Sequence, residues 1–381
     1  MTIMQGDCLF EDLIDFKTPF FQRQLITYIG NKRELLPFIN KGVELAKKQI
    51  GKKKLLVLDG FSGSGVVSRL LKYHSECLYV NDLERYCEIT NKCYLANSSQ
   101  VNLGYIKEKI DWLNENKLIG GGDVGFIERN YAPKDDNSIK EGERVFYTNR
   151  NAKIIDNLRS LIFKSFSPEE IHFFLAPLLT RASIHTNTSG VFKGFHKKEG
   201  IGCFGGKGEN ALKRIKGEIQ LDYPIFSDVE CDVKIFKSDI NELVKSSQLP
   251  EFDLVYYDPP YNQHPYGSNY FMLNIIASET DNIEIQNGVS GIIEGWNRSA
   301  YNKQQQARLA LENLIENTRS RYILLSYNNE GLICEADLRK LLENFGDVTL
   351  LTQEYNTYRG SRNLRERSIT VDEHLWVLKR S

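Results

Sequence analysis

Asp258-Pro259-Pro260-Tyr261 follows directly on the apolar run Leu254–Tyr257. Two consecutive prolines fix the backbone and remove two N–H donors. The carbonyls of Asp258 and Pro259 and the Asp258 carboxylate then present acceptors only. That surface suits an exocyclic amine, which has two N–H donors to place. Tyr261 adds a ring on which a planar base can stack. From average residue frequencies, this tetrapeptide arises by chance in such a chain on the order of once in a thousand.

A second group is Asp59-Gly60-Phe61-Ser62-Gly63-Ser64-Gly65, placed after the apolar run Leu55–Leu58. Glycines directly after a buried strand allow a tight turn and a close approach of backbone to ligand. Asp82 lies 19 residues beyond Gly63, at the end of the next apolar run. A carboxylate there can accept from both hydroxyls of a ribose. Together these describe a nucleoside-cofactor site without naming the nucleoside, since a nicotinamide enzyme would carry a similar turn. The third group is Tyr28-Ile29-Gly30-Asn31-Lys32. Its Lys follows a Gly-Asn turn and an aromatic, and could meet a cofactor carboxylate.

Several elements must position these groups. Phe20 to Lys48 begins as loop and becomes helical, with Leu35, Leu36, Ile39, Val43 and Ala46 near helical spacing. Leu55–Asp59 is a continuous apolar run of strand length, the mark of a strand buried on both faces. Val66 to Tyr73 reads as helix and Cys77 to Val80 as a second strand, which completes a βαβ unit. Helices are expected over Asn151 to Ser165 and Pro168 to Ile184, and a long loop over Gly120 to Glu143. The sheet resumes at Val233 to Phe236 and Phe252 to Tyr257, and continues at Tyr322 to Ser326, Val348 to Thr352 and His374 to Leu378. Helices at Lys303 to Thr318 and Glu335 to Asn344 intervene. Strand–helix alternation on both sides of an irregular insert predicts an α/β fold with an inserted recognition region.

Composition narrows the function classes. The chain has 381 residues, of which 41% are hydrophobic, so it can bury a core and is not a disordered class. No apolar run approaches the roughly 18 residues a membrane helix needs. The first 16 residues lack a basic-then-apolar signal, and a cytoplasmic location is expected. Seven scattered cysteines, none in a C-x-x-C pair, argue against a disulfide framework and a zinc ribbon. The formal net charge is only -1, yet the cations are clustered. Residues 187–217 hold seven Lys/Arg, two acids and eight glycines, and residues 359–367 hold four Arg and one Glu. Such stretches suit a face that meets phosphates, with a merely solvated face as the plainer alternative.

With these groups in place, the sequence resembles the site-specific DNA adenine-N6 methyltransferases. Tyr28–Lys32, Phe61–Gly65 and Asp258–Tyr261 occur in the order of the alpha-type arrangement: cofactor motif, target-recognition region, Asp-Pro-Pro-Tyr. Arg144-Val-Phe-Tyr-Thr148 with Asn151, Ala152 and Asp156 is similar to a segment of some restriction–modification members. So are Ser189–Lys193, Tyr266 to Asn274 and Leu325–Gly331, and the resemblance runs from about Gln24 to Leu378.

That resemblance implies a Rossmann-like, S-adenosylmethionine-dependent sheet formed by residues 20–164 and 232–381, with residues 165–231 inserted as the target-recognition region. Tyr28, Gly30, Asn31 and Lys32 would line the methionine end of the cofactor. Asp59, Phe61, Ser62, Gly63 and Gly65 would wrap it, Asp82 would hold its ribose, and Asp239 would face its adenine amine. Asp258, Pro259, Pro260 and Tyr261 would hold a flipped target adenine beside the methyl group, with Tyr270 or Phe271 assisting the stack. Lys193, Lys197, Lys198, Lys207, Arg359 and Arg362 would meet phosphates of double-stranded DNA. His185, Asn187, Lys193, His196 and Lys207 are the candidates to reach base edges. A separately encoded restriction endonuclease is the implied partner, and no metal is required. A cytosine-N4 methyltransferase, an RNA or protein amide methyltransferase, and a non-catalytic DNA-binding protein on the same scaffold remain as alternatives.

Overall fold

The computed structural model describes residues 14–119, 124–206, 211–356 and 370–381. Nine strands occur among them: β1 (Leu55–Asp59), β2 (Ser75–Asp82), β3 (Lys197–Lys198), β4 (Ile201–Gly202), β5 (Asp232–Lys237), β6 (Phe252–Tyr257), β7 (Ser320–Asn328), β8 (Gly346–Asn356) and β9 (Thr370–Arg380). Seven of them form one sheet in the order β5-β2-β1-β6-β7-β9-β8. The first five positions are parallel, and β9 runs antiparallel between β7 and β8. The expected α/β, Rossmann-like sheet is therefore present, with each predicted strand in place.

The apolar runs explain the layers. Leu55 and Val57 of β1 enter a core with the helix Leu36–Ile50 and the helix Val66–His74. Leu58 enters the core on the other face, with the helices Gln304–Asn317 and Glu335–Glu343. Every residue of β6 is buried, as the apolar run Leu254–Tyr257 demands, and Asp253 is buried with Lys52 as its counter-ion at 2.9 Å. β2 lies to one side of β1 and β6 to the other. The strand order therefore reverses at β1, and an α/β sheet opens a crevice beyond the strand ends at that point. Both chemistry-bearing turns sit there, one after β1 and one after β6.

A third core is helical. The helices Arg85–Tyr94, Asn149–Ser165, His172–Ile184 and Phe271–Ile276 supply most of it. It crosses position 165, since Phe166 meets Trp112 edge-on at 6.5 Å and stacks on Phe174 at 3.8 Å. The stretch expected to be a long loop contains the helix Phe126–Tyr131. Its start is held by Asp156, whose carboxylate accepts from the Ile127 and Glu128 amides at 3.0 and 2.8 Å. A Cβ at Gly125 would lie 2.3 Å from that carboxylate, so glycine is needed for the approach. Glycines around the helix hid it in the sequence, and its partner lies 28 residues downstream.

β3 and β4 form a hairpin whose two-residue turn, Glu199-Gly200, has φ of 52° and 86°. Positive φ at both positions matches the twist of paired strands. Lys197 and Lys198 stand exposed on it. Among the described residues no helix is long and apolar enough to cross a membrane.

Candidate active site

The glycine turn is built by steric demand. Gly63 and Gly65 have φ of 52° and 77°. A Cβ at Gly65 would fall 2.5 Å from Asn91 Oδ1. Asn91 uses its amide to donate to Ser62 Oγ at 2.9 Å, pinning the turn from the helix Arg85–Tyr94. Asp82, at the end of β2, accepts from the Gly63 amide at 2.8 Å and from the Glu84 amide at 2.9 Å. Each carboxylate oxygen keeps a second lone pair, so Asp82 can hold this turn and still accept from a ligand.

The turn, the Asp258–Tyr261 segment and the Tyr28–Lys32 segment open into one cleft. Tyr28, Gly30, Asn31, Lys32, Phe61, Ser62, Gly63, Asp82, Asp239, Asp258 and Pro260 all line it. It contains about 910 Å³ of unfilled space, its open mouth included. Four of the expected residues stand behind or beside this lining, among them Tyr261, which is half-buried next to Lys32. Asp59 is fully buried at the end of β1, where its Oδ2 accepts from Ser68 Oγ at 2.6 Å. Gly65 caps the helix Val66–His74. Pro259 is buried beneath Asp258 and Pro260.

Lys32 is the pivot of the cleft's far end. Its side chain is 3% exposed, and its Nζ lies 3.4 Å from both Asp258 Oδ1 and Glu373 Oε2. It also sits 5.2 Å from the centre of the Tyr261 ring. Burial alone would lower the Lys32 ammonium. Asp258, Tyr261 and Glu373 together hold it well above its usual range. Nothing in the sequence marked Glu373: it is one acid in a strand with no motif around it.

Aromatic packing fixes the segment before β1. Tyr28 stacks on Tyr266 and Tyr270 at 4.9 and 4.6 Å. The Tyr270 hydroxyl accepts from the Ile29 amide at 2.7 Å, and the Tyr266 hydroxyl donates to the Ile29 carbonyl at 3.1 Å. Tyr270 and Phe271 are both fully buried. The expectation that either helps to stack a target base is therefore corrected: Tyr270 supports Tyr28, and Phe271 packs against Tyr131, Phe146 and Phe192.

The cleft is rich in carboxyl groups held away from water. Burial pushes Asp59 up to about 7, against its bond from Ser68. Glu84 is likewise pushed up to about 7 by burial, although Asn274 and Asn297 donate to it. Burial raises Asp258 to about 6, with Lys32 pulling it down and Glu373 pushing it up. Asp82 is also raised by burial, against its backbone donors. Glu84, Asn297, Tyr301 and Asn302 line the cleft and had no signature in the sequence. Asn297 reaches it because Gly267 lets the chain pass: a Cβ there would lie 2.4 Å from the Asn297 carbonyl oxygen.

Four buried polar atoms in or directly beneath this cleft make no hydrogen bond: Asp59 Oδ1, Tyr256 Oη, Asp258 Oδ1 and Asn302 Oδ1. Each such atom costs about 1–3 kcal/mol when left unsatisfied. Orphans clustered around an open cleft mark a place where a ligand supplies donors.

The recognition candidates fall into two sets. Lys193, Lys197 and Lys198 are exposed, as a phosphate contact requires. Lys207, Arg359 and Arg362 lie outside the described residues. His196 lines a second cleft, with Thr186, Thr188, Ser189 and Arg214 around it. His185 and Asn187 are corrected as base readers, because both are buried and committed. His185 Nδ1 bonds the Arg214 carbonyl at 2.7 Å. The Asn187 amide donates to the carbonyls of Val145 and Cys203, both at 2.8 Å, and its Oδ1 accepts from Gly205. Asn151 is similarly structural: it donates to the Gly217 carbonyl at 2.9 Å and accepts from Ile219. Among the described residues no group of three His, Cys, Asp or Glu side chains is placed to hold a metal ion.

Comparison with known proteins agrees with this geometry. The Type II methyltransferase M.NlaIII of Neisseria lactamica is 28% identical over 366 residues, covering 93% of this chain and 100% of that protein. Modification methylase StsI of Streptococcus sanguinis is 30% identical over 358 residues, which are 90% of this chain and 50% of that protein. The Type II methyltransferase M.CviAII of Paramecium bursaria Chlorella virus 1 is 29% identical over 344 residues, 88% of this chain and 93% of that protein. The family described as D12 class N6 adenine-specific DNA methyltransferase matches residues 28–341, so the chain belongs to that family and is a DNA adenine methyltransferase.

Proposed function

We propose that this enzyme transfers the methyl group of S-adenosylmethionine to N6 of a flipped adenine in double-stranded DNA, as the modification enzyme of a restriction–modification pair. The carrying observation is that Asp258 and Pro260 open into the same cleft as the glycine turn at the reversal of strand order. The modification names of two relatives support the modification role. The exposed cations Lys193, Lys197 and Lys198 support a phosphate-facing recognition region within residues 165–231.

The cleft fits S-adenosylmethionine by chemistry. That cofactor carries an ammonium, a sulfonium and ribose hydroxyls. The unpartnered oxygens of Asp258 and Asn302 and the carboxylates of Asp82 and Asp239 provide acceptors. When bound, it supplies an electrophilic methyl carbon. Asp258 and the carbonyl of Pro259 accept the two N–H groups of the adenine amine. They thereby draw it toward tetrahedral geometry and localise its lone pair for in-line attack. The base cannot be reached inside the duplex, and flipping costs a few kcal/mol. Tyr261 recovers part of this by stacking.

Burial couples cofactor binding to pH. A cationic ligand favours the ionised forms of Glu84 near 7 and of Asp258 near 6, both in the cleft lining. Binding therefore releases protons, and affinity falls as pH drops through these values. We expect the Kd for S-adenosylmethionine to rise by up to about tenfold per pH unit per linked proton below pH 7. Calorimetry in buffers of different ionisation heat reads both numbers. An affinity flat from pH 8 to 5.5 would show that these carboxyls do not face the ligand.

The deciding experiment is transfer of labelled methyl from S-adenosylmethionine to unmethylated genomic DNA, followed by nucleoside analysis. N6-methyladenine at a fixed sequence is expected. N4-methylcytosine would keep the mechanism and replace the base. Cofactor binding without transfer to DNA would overturn the reading and direct the search to RNA and protein substrates.

A further inference from the structure

Glu373 is a buried acid that the proposed reaction does not yet use. It is 4% exposed, on β9, where it pairs with Asn328 of β7 on one side and Gln353 of β8 on the other. Its Oε2 and Asp258 Oδ1 stand at the same 3.4 Å from Lys32 Nζ. One ammonium is thus shared between two carboxylates, at a separation longer than the 2.7–2.9 Å of a tight charge-assisted bond. The buried cluster carries one net negative charge rather than none. Asp258 Oδ1 keeps its hydrogen-bonding capacity unspent.

We infer that Glu373 is a positioning residue for methyl transfer, which holds the Lys32 ammonium off Asp258 so that this carboxylate stays free to accept from the target amine. This inference rests on the adenine-N6 reading of the site. The physical argument is competition. Without Glu373, the ammonium has one buried counter-ion left and closes on it, because a buried charge without a partner is strongly disfavoured. That closure occupies the Asp258 acceptor and neutralises the cluster. Both changes oppose an amine donor and a neighbouring cation.

The titratable and charged groups close enough to act on Asp258 are Lys32, Glu373, Asp59 and the phenols of Tyr256, Tyr261 and Tyr266. Of these, Lys32 and Glu373 act on Asp258 in opposite directions. Loss of the Glu373 charge removes a like charge and strengthens the Lys32 pairing. Both lower the pH at which Asp258 takes up a proton.

The test compares the full-length wild type with Glu373→Gln and Glu373→Asp in single-turnover methylation of DNA across pH 5–8.5. At saturating cofactor, Glu373→Gln is expected to slow the step at least about tenfold, with DNA Kd within about threefold. Its acid limb should move down by about half a pH unit or more. Glu373→Asp, which keeps the charge, should restore the wild-type limb. A cycle with Lys32→Met adds a second readout: the Glu373→Gln effect should vanish in the Lys32→Met background. An unmoved limb, or effects that simply add, would overturn the inference and leave Glu373 a structural residue. If Glu373→Gln does not fold, a Glu373→Asp limb displaced from wild type overturns it as well. Wild-type protein that methylates no adenine would instead strike the reaction assignment, so the two failures are distinct.

Discussion

Asp258→Ala should transfer methyl groups on the order of a thousandfold more slowly than the wild type while still binding the cofactor. The size follows from what the side chain does. It is one of two acceptors that aim the amine, and removing a preorganised group at a reacting centre costs about 3–4 kcal/mol. Cofactor affinity should change less, since Asp82, Asp239 and the glycine turn remain in the cleft. Rapid-quench methylation with saturating cofactor separates the two effects. Deletion also strands Lys32, although Glu373 at 3.4 Å still compensates its charge, so the variant should fold. A loss confined to affinity, with the chemical step untouched, would move the reacting centre elsewhere in the cleft.

The second large effect is expected at Asp82→Ala, and it is one of binding. Asp82 fastens the Gly63 amide from one oxygen and the Glu84 amide from the other. Hydrogen bonds to a charged group are worth about 1.5–3 kcal/mol each. Their loss frees the turn, and any ligand contact to the carboxylate disappears with it. The Kd for S-adenosylmethionine should rise on the order of a hundredfold, about 3 kcal/mol. Single-turnover rates at saturating cofactor should stay within about tenfold. Equilibrium binding followed by fluorescence or calorimetry checks this. A Kd within threefold of wild type would show that Asp82 serves the fold alone.

The two turns and the strands that carry them were legible because their cause is local. β1 and β6 are built on the apolar runs Leu55–Leu58 and Leu254–Tyr257, and their bounds Leu55–Asp59 and Phe252–Tyr257 are those read from the sequence. The last two strands were read short. β8 and β9 run on to Asn356 and begin at Thr370, through residues whose polarity hides strand character. The helix Arg85–Tyr94 was missed because its buried face is Tyr86, Cys87, Ile89, Thr90, Asn91, Cys93 and Tyr94, which mixes polar with apolar types.

Within the site, the motif residues on the cleft wall announced themselves. Residues that serve through distant partners did not. Asn187 reads as a polar side chain in a basic loop. Its partners are backbone groups of Val145, Cys203 and Gly205, and only the folded chain brings them near. Glu373 reads as an ordinary acid until Lys32, 341 residues earlier, lies beside it. The reach of such bonds exceeds any local pattern.

The strand order has a consequence for the timing of synthesis. β9 is made after β7 and β8 but lies between them, paired to each along its length. A nascent chain that has emerged only as far as β8 has the glycine turn and Asp258 already made. It lacks the strand that fills the gap and the carboxylate that shares Lys32. Pairing β8 directly with β7 would be the competing arrangement, and it must be undone or avoided before β9 can enter. Acquisition of activity should therefore lag behind the emergence of both motifs, and wait on the insertion of a single late strand into a sheet already begun.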